Sequence, residues 1–274
     1  MLCYNLFITE SLNLDRNTNK LPEETILLFN KIKTKLNIRT YDKSSYETLQ
    51  ITKIEKNEEN INNLFKLLNK ITDKTYDKLS TQIIDLIKNF DVDEKICNKF
   101  FQIIITNSIF CHLYAKLYNE IININSNYKN ILQNKTNLYF EKINSIEIIS
   151  PNKDYDKYCE YMKEVNNIIN FTKFRIECVK YNIYSVEDII TNILYFQDTV
   201  LVFINNDNEP EIIDIYLSNI LLMISQLFPK MQNSDNYINI INNNNLLIKA
   251  NKKSKNKNKK NLFKLMDISD LFIK

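Results

Sequence analysis

The sequence contains no glycine and no tryptophan, although average usage would give about 19 glycines in a chain of this length. The missing glycines exclude three devices of catalysis: the glycine-rich phosphate loop, the dinucleotide-binding fingerprint and the nucleophile elbow. In tight hairpin turns and left-handed helix caps, asparagine must then take the place of glycine. The sequence therefore disfavours β-rich folds and tolerates helical ones.

Histidine and cysteine are too sparse and scattered to suggest a metal centre. His112 is the only histidine, and its place on an apolar predicted helix favours a structural role over a catalytic one. The five cysteines show no C-x-x-C pair. An odd cysteine count without a visible secretory signal fits a reducing cytosol, and no apolar run is long enough to predict a membrane span. We therefore expect a cytoplasmic protein without a metal or cofactor.

The overall composition is typical of a soluble globular protein. Hydrophobic residues make up 44%, charged residues 25%, and the formal net charge is +3, so the chain as a whole is not a polycation. Asparagine, isoleucine, lysine and tyrosine replace the scarce residue types. Their codons are AT-rich, and we interpret this composition as a bias of the genome.

The chain is organised around residues 68–79, which predict a helix, a sharp break and a second helix. Apolar residues recur at helical spacing on both sides of the break. Thr72 stands where an N-cap belongs, because its hydroxyl can accept a hydrogen bond from a backbone N–H of the next turn. Asp73 adds negative charge near the positive end of that helix. This stretch therefore predicts a helical hairpin.

Four further helix pairs follow at intervals of roughly 40 residues, and their apolar residues have i, i+3, i+4 spacing. The predicted pairs are 94–106 with 109–122, 126–143 with a long helix at 154–182, 185–203 with 210–228, and a segment from about 233 with a last helix at 263–271. Asparagine and proline at 205–210 mark a turn, and Pro229 is expected to close the helix before it. The pattern favours an all-α HEAT-repeat solenoid of about five antiparallel helix pairs, with an irregular helical bundle as the alternative.

Residues 1–57 form a separate N-terminal extension in this interpretation, ahead of a helical domain at 58–274. Leu21-Pro22 predicts the start of a helix, since proline suits the first helical position. Residues 46–54 alternate enough to predict a short strand or extended arm. The extension is expected to pack on the first hairpin or to bind a partner.

Segments along residues 58–272 carry a resemblance to a known family; those at 112–118 and 128–142 take part, and three others carry most of it. Residues 68–79 contain Leu-Asn-Lys-Ile-Thr followed by Tyr-Asp-Lys-Leu, residues 174–180 read Phe-Arg-Ile-Glu-Cys-Val-Lys, and residues 263–271 read Phe-Lys-Leu-Met-Asp-Ile-Ser-Asp-Leu. In this order they resemble the middle domain of eukaryotic translation initiation factor 4G. Asp73 replaces the family's usual proline, and Ile176 stands where the family has a glycine.

The resemblance implies a HEAT-repeat scaffold that is not an enzyme. Such a domain holds the two lobes of a DEAD-box helicase of the initiation factor 4A type in a half-closed arrangement, and so speeds nucleotide cycling. By position, the helicase contacts are expected at inter-helix turns. At one end these are Thr72, Asp73 and Tyr76, and toward the other end Phe174, Glu177, Lys180, Asp267 and Asp270.

The basic run at 252–260 has two interpretations, a solvated loop or a contact to the phosphate backbone of RNA. Its lysines are Lys252, Lys253, Lys255, Lys257, Lys259 and Lys260.

Two segments also fit the linear motif that binds a cap-binding factor. We reject the one that begins at Tyr216, because it lies in the most apolar helix. The imperfect one that begins at Tyr46 leaves residues 1–57 as a candidate cap-binding-factor contact.

Two alternatives remain at the level of sequence. The same fold serves in mRNA decay and RNA processing, where the partner is a different DEAD-box helicase. A plain RNA-binding solenoid that works through the lysine run is the second. The AT-rich composition suggests a compact genome such as that of a large DNA virus of eukaryotes, in which the protein would redirect cap-dependent translation.

Overall fold

A computed structural model describes residues 56–88, 94–206, 210–254 and 258–273, together with the helical residues Glu24, Thr25, Leu27, Leu28 and Lys31. Over the part of the chain that the structure describes, the protein is all-helical and has no strand. The predicted all-α class is therefore confirmed. The compact unit described below spans Glu55–Lys274.

Ten α-helices make up this unit among the residues described. They are α1 (Lys56–Leu68), α2 (Tyr76–Ile87), α3 (Glu94–Thr106), α4 (Cys111–Ile124), α5 (Asn127–Asn144), α6 (Tyr155–Val179), α7 (Val186–Asn205), α8 (Pro210–Met231), α9 (Tyr237–Lys253) and α10 (Lys259–Ile273). A short 3-10 helix at Ser108–Phe110 precedes α4. Most boundaries lie within two or three residues of those predicted, because the apolar stripes follow the helical period.

The even-numbered helices form a continuous row in which each helix contacts the next, from α2 through α4, α6 and α8 to α10. The odd-numbered helices attach to this row and to one another. Helix α1 packs on α2 and α3, while α7 packs on α8 and α9. Helix α10 contacts both α8 and α9. Neighbour-to-neighbour packing therefore accounts for much of the core.

Buried polar side chains satisfy one another where α5, α6 and α8 meet. The Tyr139 hydroxyl contacts Thr172 Oγ1 at 2.5 Å and donates to Asn219 Oδ1 at 3.1 Å. Thr172 Oγ1 donates to the same amide oxygen at 2.7 Å. Because a buried polar group without a partner costs about 1–3 kcal/mol, this closed network lets three polar residues occupy the core.

The predicted N-cap at Thr72 is wrong, since α2 begins at Tyr76 with Thr75 in the cap position. The Thr75 hydroxyl donates to the Lys70 carbonyl at 2.7 Å and accepts from the Thr72 N–H at 2.9 Å. The Thr72 carbonyl accepts from the N–H groups of Thr75 and Tyr76. The turn between α1 and α2 is thus longer than predicted, and the Thr75 hydroxyl bonds across it.

Two other helix ends also differ from the prediction. Helix α8 continues through Pro229 to Met231, because Leu227 and Met231 are both buried and their burial stabilises the last turn. Helix α6 ends at Val179 rather than 182. The expected use of asparagine in place of glycine is confirmed there: Asn182 has a φ of +56°, the left-handed conformation of a helix C-cap.

Helix α8 is the one helix among the described residues that is long and apolar enough to cross a membrane. Half of its most apolar window is buried among other helices, and Asn219 lies within it. The core helix of a soluble protein meets the same criterion, so the finding is weak evidence for a span. The arm predicted at 46–54 and the motif that begins at Tyr46 lie outside the described residues.

Candidate partner-binding surface

The turn between α1 and α2 is joined to the start of α4 by an exposed polar pair. Asp73 Oδ1 lies 3.0 Å from His112 Nε2, and the two side chains are 71% and 45% exposed. Asn107 Nδ2 also donates to Asn69 Oδ1 at 3.4 Å. Residues that are distant in sequence therefore hold two turns side by side at one surface. Sequence reasoning missed this role of His112, because no local pattern links it to Asp73.

Tyr76, an expected contact residue, is buried and instead supports α4. Its hydroxyl donates to Glu120 Oε1 at 3.1 Å, and Lys116 Nζ lies 4.5 Å from the centre of its ring. Burial, followed by the charge of Glu120, raises the pKa of Tyr76. Lys116 is exposed, so a partner could contact this lysine but not the buried tyrosine ring beneath it.

The three residues expected near the end of α6 have different environments. Phe174 has no exposed surface and packs against Phe101 and Tyr118. A side chain with no exposed surface cannot touch a partner directly, so Phe174 belongs to the core. Lys180 Nζ lies 2.6 Å from Glu177 Oε2, and these side chains are 57% and 17% exposed.

The end of α6 lies within electrostatic reach of the starts of α2 and α4. Burial and then the carboxylates of Glu177 and Glu120 raise the pKa of Tyr181. Tyr181 also contributes to the raised pKa of Tyr76. Burial and then Glu177 raise the pKa of the Cys111 thiol, against the opposing charges of nearby lysines.

The charged residues of these neighbouring segments are treated together as one candidate surface. We call it the charged turn surface, and it consists of Asp73, His112, Lys116, Glu177 and Lys180. Thr72 is partly exposed beside it. Asp267 and Asp270 are exposed on α10, and among the described residues no hydrogen bond or ion pair joins them to this surface.

The lysine run is not a continuous loop. Lys252 and Lys253 form the last turn of α9, and Lys259 and Lys260 begin α10, whereas Lys255 and Lys257 lie outside the described residues. All four described lysines are exposed. Lys260 Nζ lies 3.0 Å from Asp214 Oδ2, so its charge is partly neutralised. The sequence predicted a longer loop, because a basic, low-complexity segment gives no apolar pattern from which the ends of the two helices could be located.

The described residues include no group of three or more histidine, cysteine, aspartate or glutamate side chains placed to hold a metal ion. Tyr216 is fully buried, which confirms the rejection of its linear motif. The arrangement suits binding through charged side chains on packed helices.

No model of a known protein family matches the sequence, and no curated protein is similar to it. The likeness to the middle domain of initiation factor 4G therefore rests on the quoted segments alone.

Proposed function

We propose that the protein is a HEAT-type α-solenoid scaffold without catalytic activity. The continuous row of even-numbered helices supports this proposal, because stacked helix pairs in a solenoid contact mainly their neighbours. The pairs α1–α2, α7–α8 and α9–α10 pack directly on one another, as antiparallel helical hairpins do. Such a rod offers inter-helix turns to a partner.

We further propose that the charged turn surface binds a DEAD-box RNA helicase of the initiation factor 4A type. The observation that supports this proposal is that Asp73 contacts His112, whose neighbour Cys111 lies within reach of the charges of Glu177 and Lys180. The resemblance implies helicase contacts at Asp73, Glu177 and Lys180. Binding would favour one arrangement of the helicase lobes through differential contacts, which is a population shift. A DEAD-box helicase of RNA processing or decay is the related alternative, and a cytoplasmic site of action belongs to the same proposal.

Helicase stimulation tests the proposal. Lys180→Glu and Asp73→Lys each reverse one charge of the surface, and both should weaken binding and the increase in helicase ATPase turnover, because opposite charges set association rates and register. Lys163→Glu is the matched control, since Lys163 is exposed on the same helix as Glu177 but away from its end. Unchanged stimulation by both reversed variants, with folding verified by circular dichroism, would reject this surface.

RNA binding is a second candidate, favoured by the four exposed lysines at the junction of α9 and α10. Lysines that neutralise phosphates release counterions, so the affinity should fall steeply with salt. Lys252→Ala with Lys253→Ala should reduce the salt slope, whereas Lys163→Ala should not. If RNA binding is lost and helicase stimulation persists, the two activities use different surfaces. Residues 1–57, the proposed contact for a cap-binding factor, can be tested by deletion.

A further inference from the structure

Arg175 is a buried charge without a carboxylate partner. Its side chain is only 2% exposed, and its Nε has no hydrogen-bond partner. No ion pair to Arg175 is found among the residues that the structure describes. A guanidinium keeps its charge at all physiological pH values, and burying an unpaired charge is costly. Among the described residues, the fold therefore gives this cation no carboxylate partner.

Two aromatic rings flank the guanidinium, and the Tyr184 hydroxyl uses part of its donor capacity. Its central carbon lies 5.4 Å from the centre of the Phe140 ring and 5.0 Å from that of the Tyr184 ring. Cation–π contacts of this kind offset part of the burial cost. They use the faces of the planar group, whereas its N–H donors point outward along the edge. Arg175 is thus positioned to donate hydrogen bonds.

A polar cleft of about 500 Å³ opens beside this guanidinium. Helix α5, the turn after α6 and the start of α7 line it together with Arg175. Its other polar walls include Lys129, Gln133, Asn137, Thr191 and Asn192. Ammonium, amide and hydroxyl donors therefore converge on the cleft from separate elements.

We propose that this cleft binds the phosphate group of a small ligand, with Arg175 as the central donor. Arginine presents a fork of N–H groups that matches oxyanions. A tetrahedral phosphate accepts hydrogen bonds in several directions, which suits donors spread over α5, α6 and α7 better than a planar carboxylate does. This proposal is independent of the helicase scaffold and involves residues other than those of the charged turn surface.

Asp188 also lines the cleft, and its negative charge should weaken phosphate binding. Its Oδ2 accepts from the Ser185 N–H at 2.8 Å in the capping box of α7. Asparagine keeps an acceptor oxygen there but carries no charge. Asp188→Asn should therefore strengthen phosphate binding about two- to fivefold, while Lys129→Ala should weaken it by a similar factor.

Nitrogen-15 NMR of the full chain tests the site directly, because the sequence has only three arginines: Arg16, Arg39 and Arg175. Arg175→Lys identifies the Arg175 Nε–H signal by its loss. Titration with inorganic phosphate at constant ionic strength should shift that signal to saturation. If sodium chloride shifts the signal as much as phosphate does, the proposal is overturned.

Parallel titrations define the ligand chemistry. Tighter binding of O-phosphoserine than of phosphate would support a phosphate monoester, and equal binding would support the free ion. Acetate binding as tightly as phosphate would overturn the phosphate assignment. The exposed variants Lys129→Ala and Lys163→Ala provide a test that does not depend on replacing a buried residue: only the first should change the affinity. If both leave it unchanged, the cleft is not the site.

Discussion

The two halves of the helical unit solve the same packing problem with different chemistry. Where α3, α4 and α6 meet, rings pack in tilted and edge-to-face arrangements with centroid separations of 5.5 to 6.3 Å. The rings belong to Phe100, Phe101, Tyr118, Phe171 and Phe174. We call this cluster the aromatic junction. Such contacts combine large apolar burial with a preferred ring geometry.

Helices α7 to α10 add to their apolar core several buried amides that bond to backbone carbonyls. Asn244 Nδ2 donates to Leu265 O at 3.0 Å, and Asn261 Nδ2 donates to Pro210 O at 3.0 Å. Gln197 Nε2 donates to Ile240 O at 2.9 Å. We call these the amide bridges. A composition rich in asparagine is thus used for directional contacts, and the comparison suggests that burial dominates one half and hydrogen bonding contributes more to the other.

The largest effect is expected at the aromatic junction. Phe174→Ala should lower the free energy of unfolding by about 3–5 kcal/mol, because it removes a fully buried ring and leaves a cavity. Urea unfolding followed by circular dichroism measures this loss. Leu138→Ala is the control, since Leu138 is 50% exposed and should cost little. A loss below about 1 kcal/mol for Phe174→Ala would show that the junction collapses around the gap.

Alkaline pH should destabilise the protein, because buried phenols ionise more readily once the chain unfolds. Burial raises the pKa of Tyr139 and of Tyr184 to about 12. A raised pKa favours the protonated folded state, so its stabilisation is complete below pH 10 and is lost as the pH rises toward 12. The loss amounts to about 2–3 kcal/mol per tyrosine.

Urea unfolding between pH 8 and pH 12, with tyrosinate absorbance recorded in parallel, checks this expectation. Tyr155→Phe should leave the profile unchanged, because Tyr155 is 68% exposed. A free energy of unfolding that stays constant across this range would contradict the burial of both phenols.

Breaking one amide bridge should have an intermediate effect. Asn244→Ala leaves the Leu265 carbonyl without its amide donor and also removes a 2.8 Å contact to Ser269 Oγ. We expect a loss of about 1–3 kcal/mol in the free energy of unfolding. Asn245→Ala is the neighbouring control, since Asn245 is exposed and alanine is the better helix former. Equal unfolding midpoints for both variants would remove the distinction between the two halves.

The sequence predicted helices well because apolar periodicity is a local signal. It also predicted that asparagine would take left-handed helix caps, because the chain has no glycine, but it did not single out Asn182. The contact between Asp73 and His112 spans 39 positions, so no local pattern reports it. Arg175 lies inside an apolar stripe, where periodicity alone does not show whether a charge is buried or reaches solvent. The charged turn surface and the phosphate cleft therefore depend on tertiary packing.

The smallest effect is expected at the charged turn surface, where the pair between Glu177 and Lys180 should contribute little to folding. Lys180 is more than half exposed, and exposed ion pairs typically contribute about 0.2–1 kcal/mol. A double-mutant cycle of Glu177→Gln and Lys180→Met measures the coupling, and 1 M sodium chloride should weaken it. A coupling above about 2 kcal/mol, insensitive to salt, would make the pair a structural element comparable to an amide bridge. A small coupling would instead leave Lys180 free to exchange its partner for a carboxylate of a bound protein at little cost to the fold.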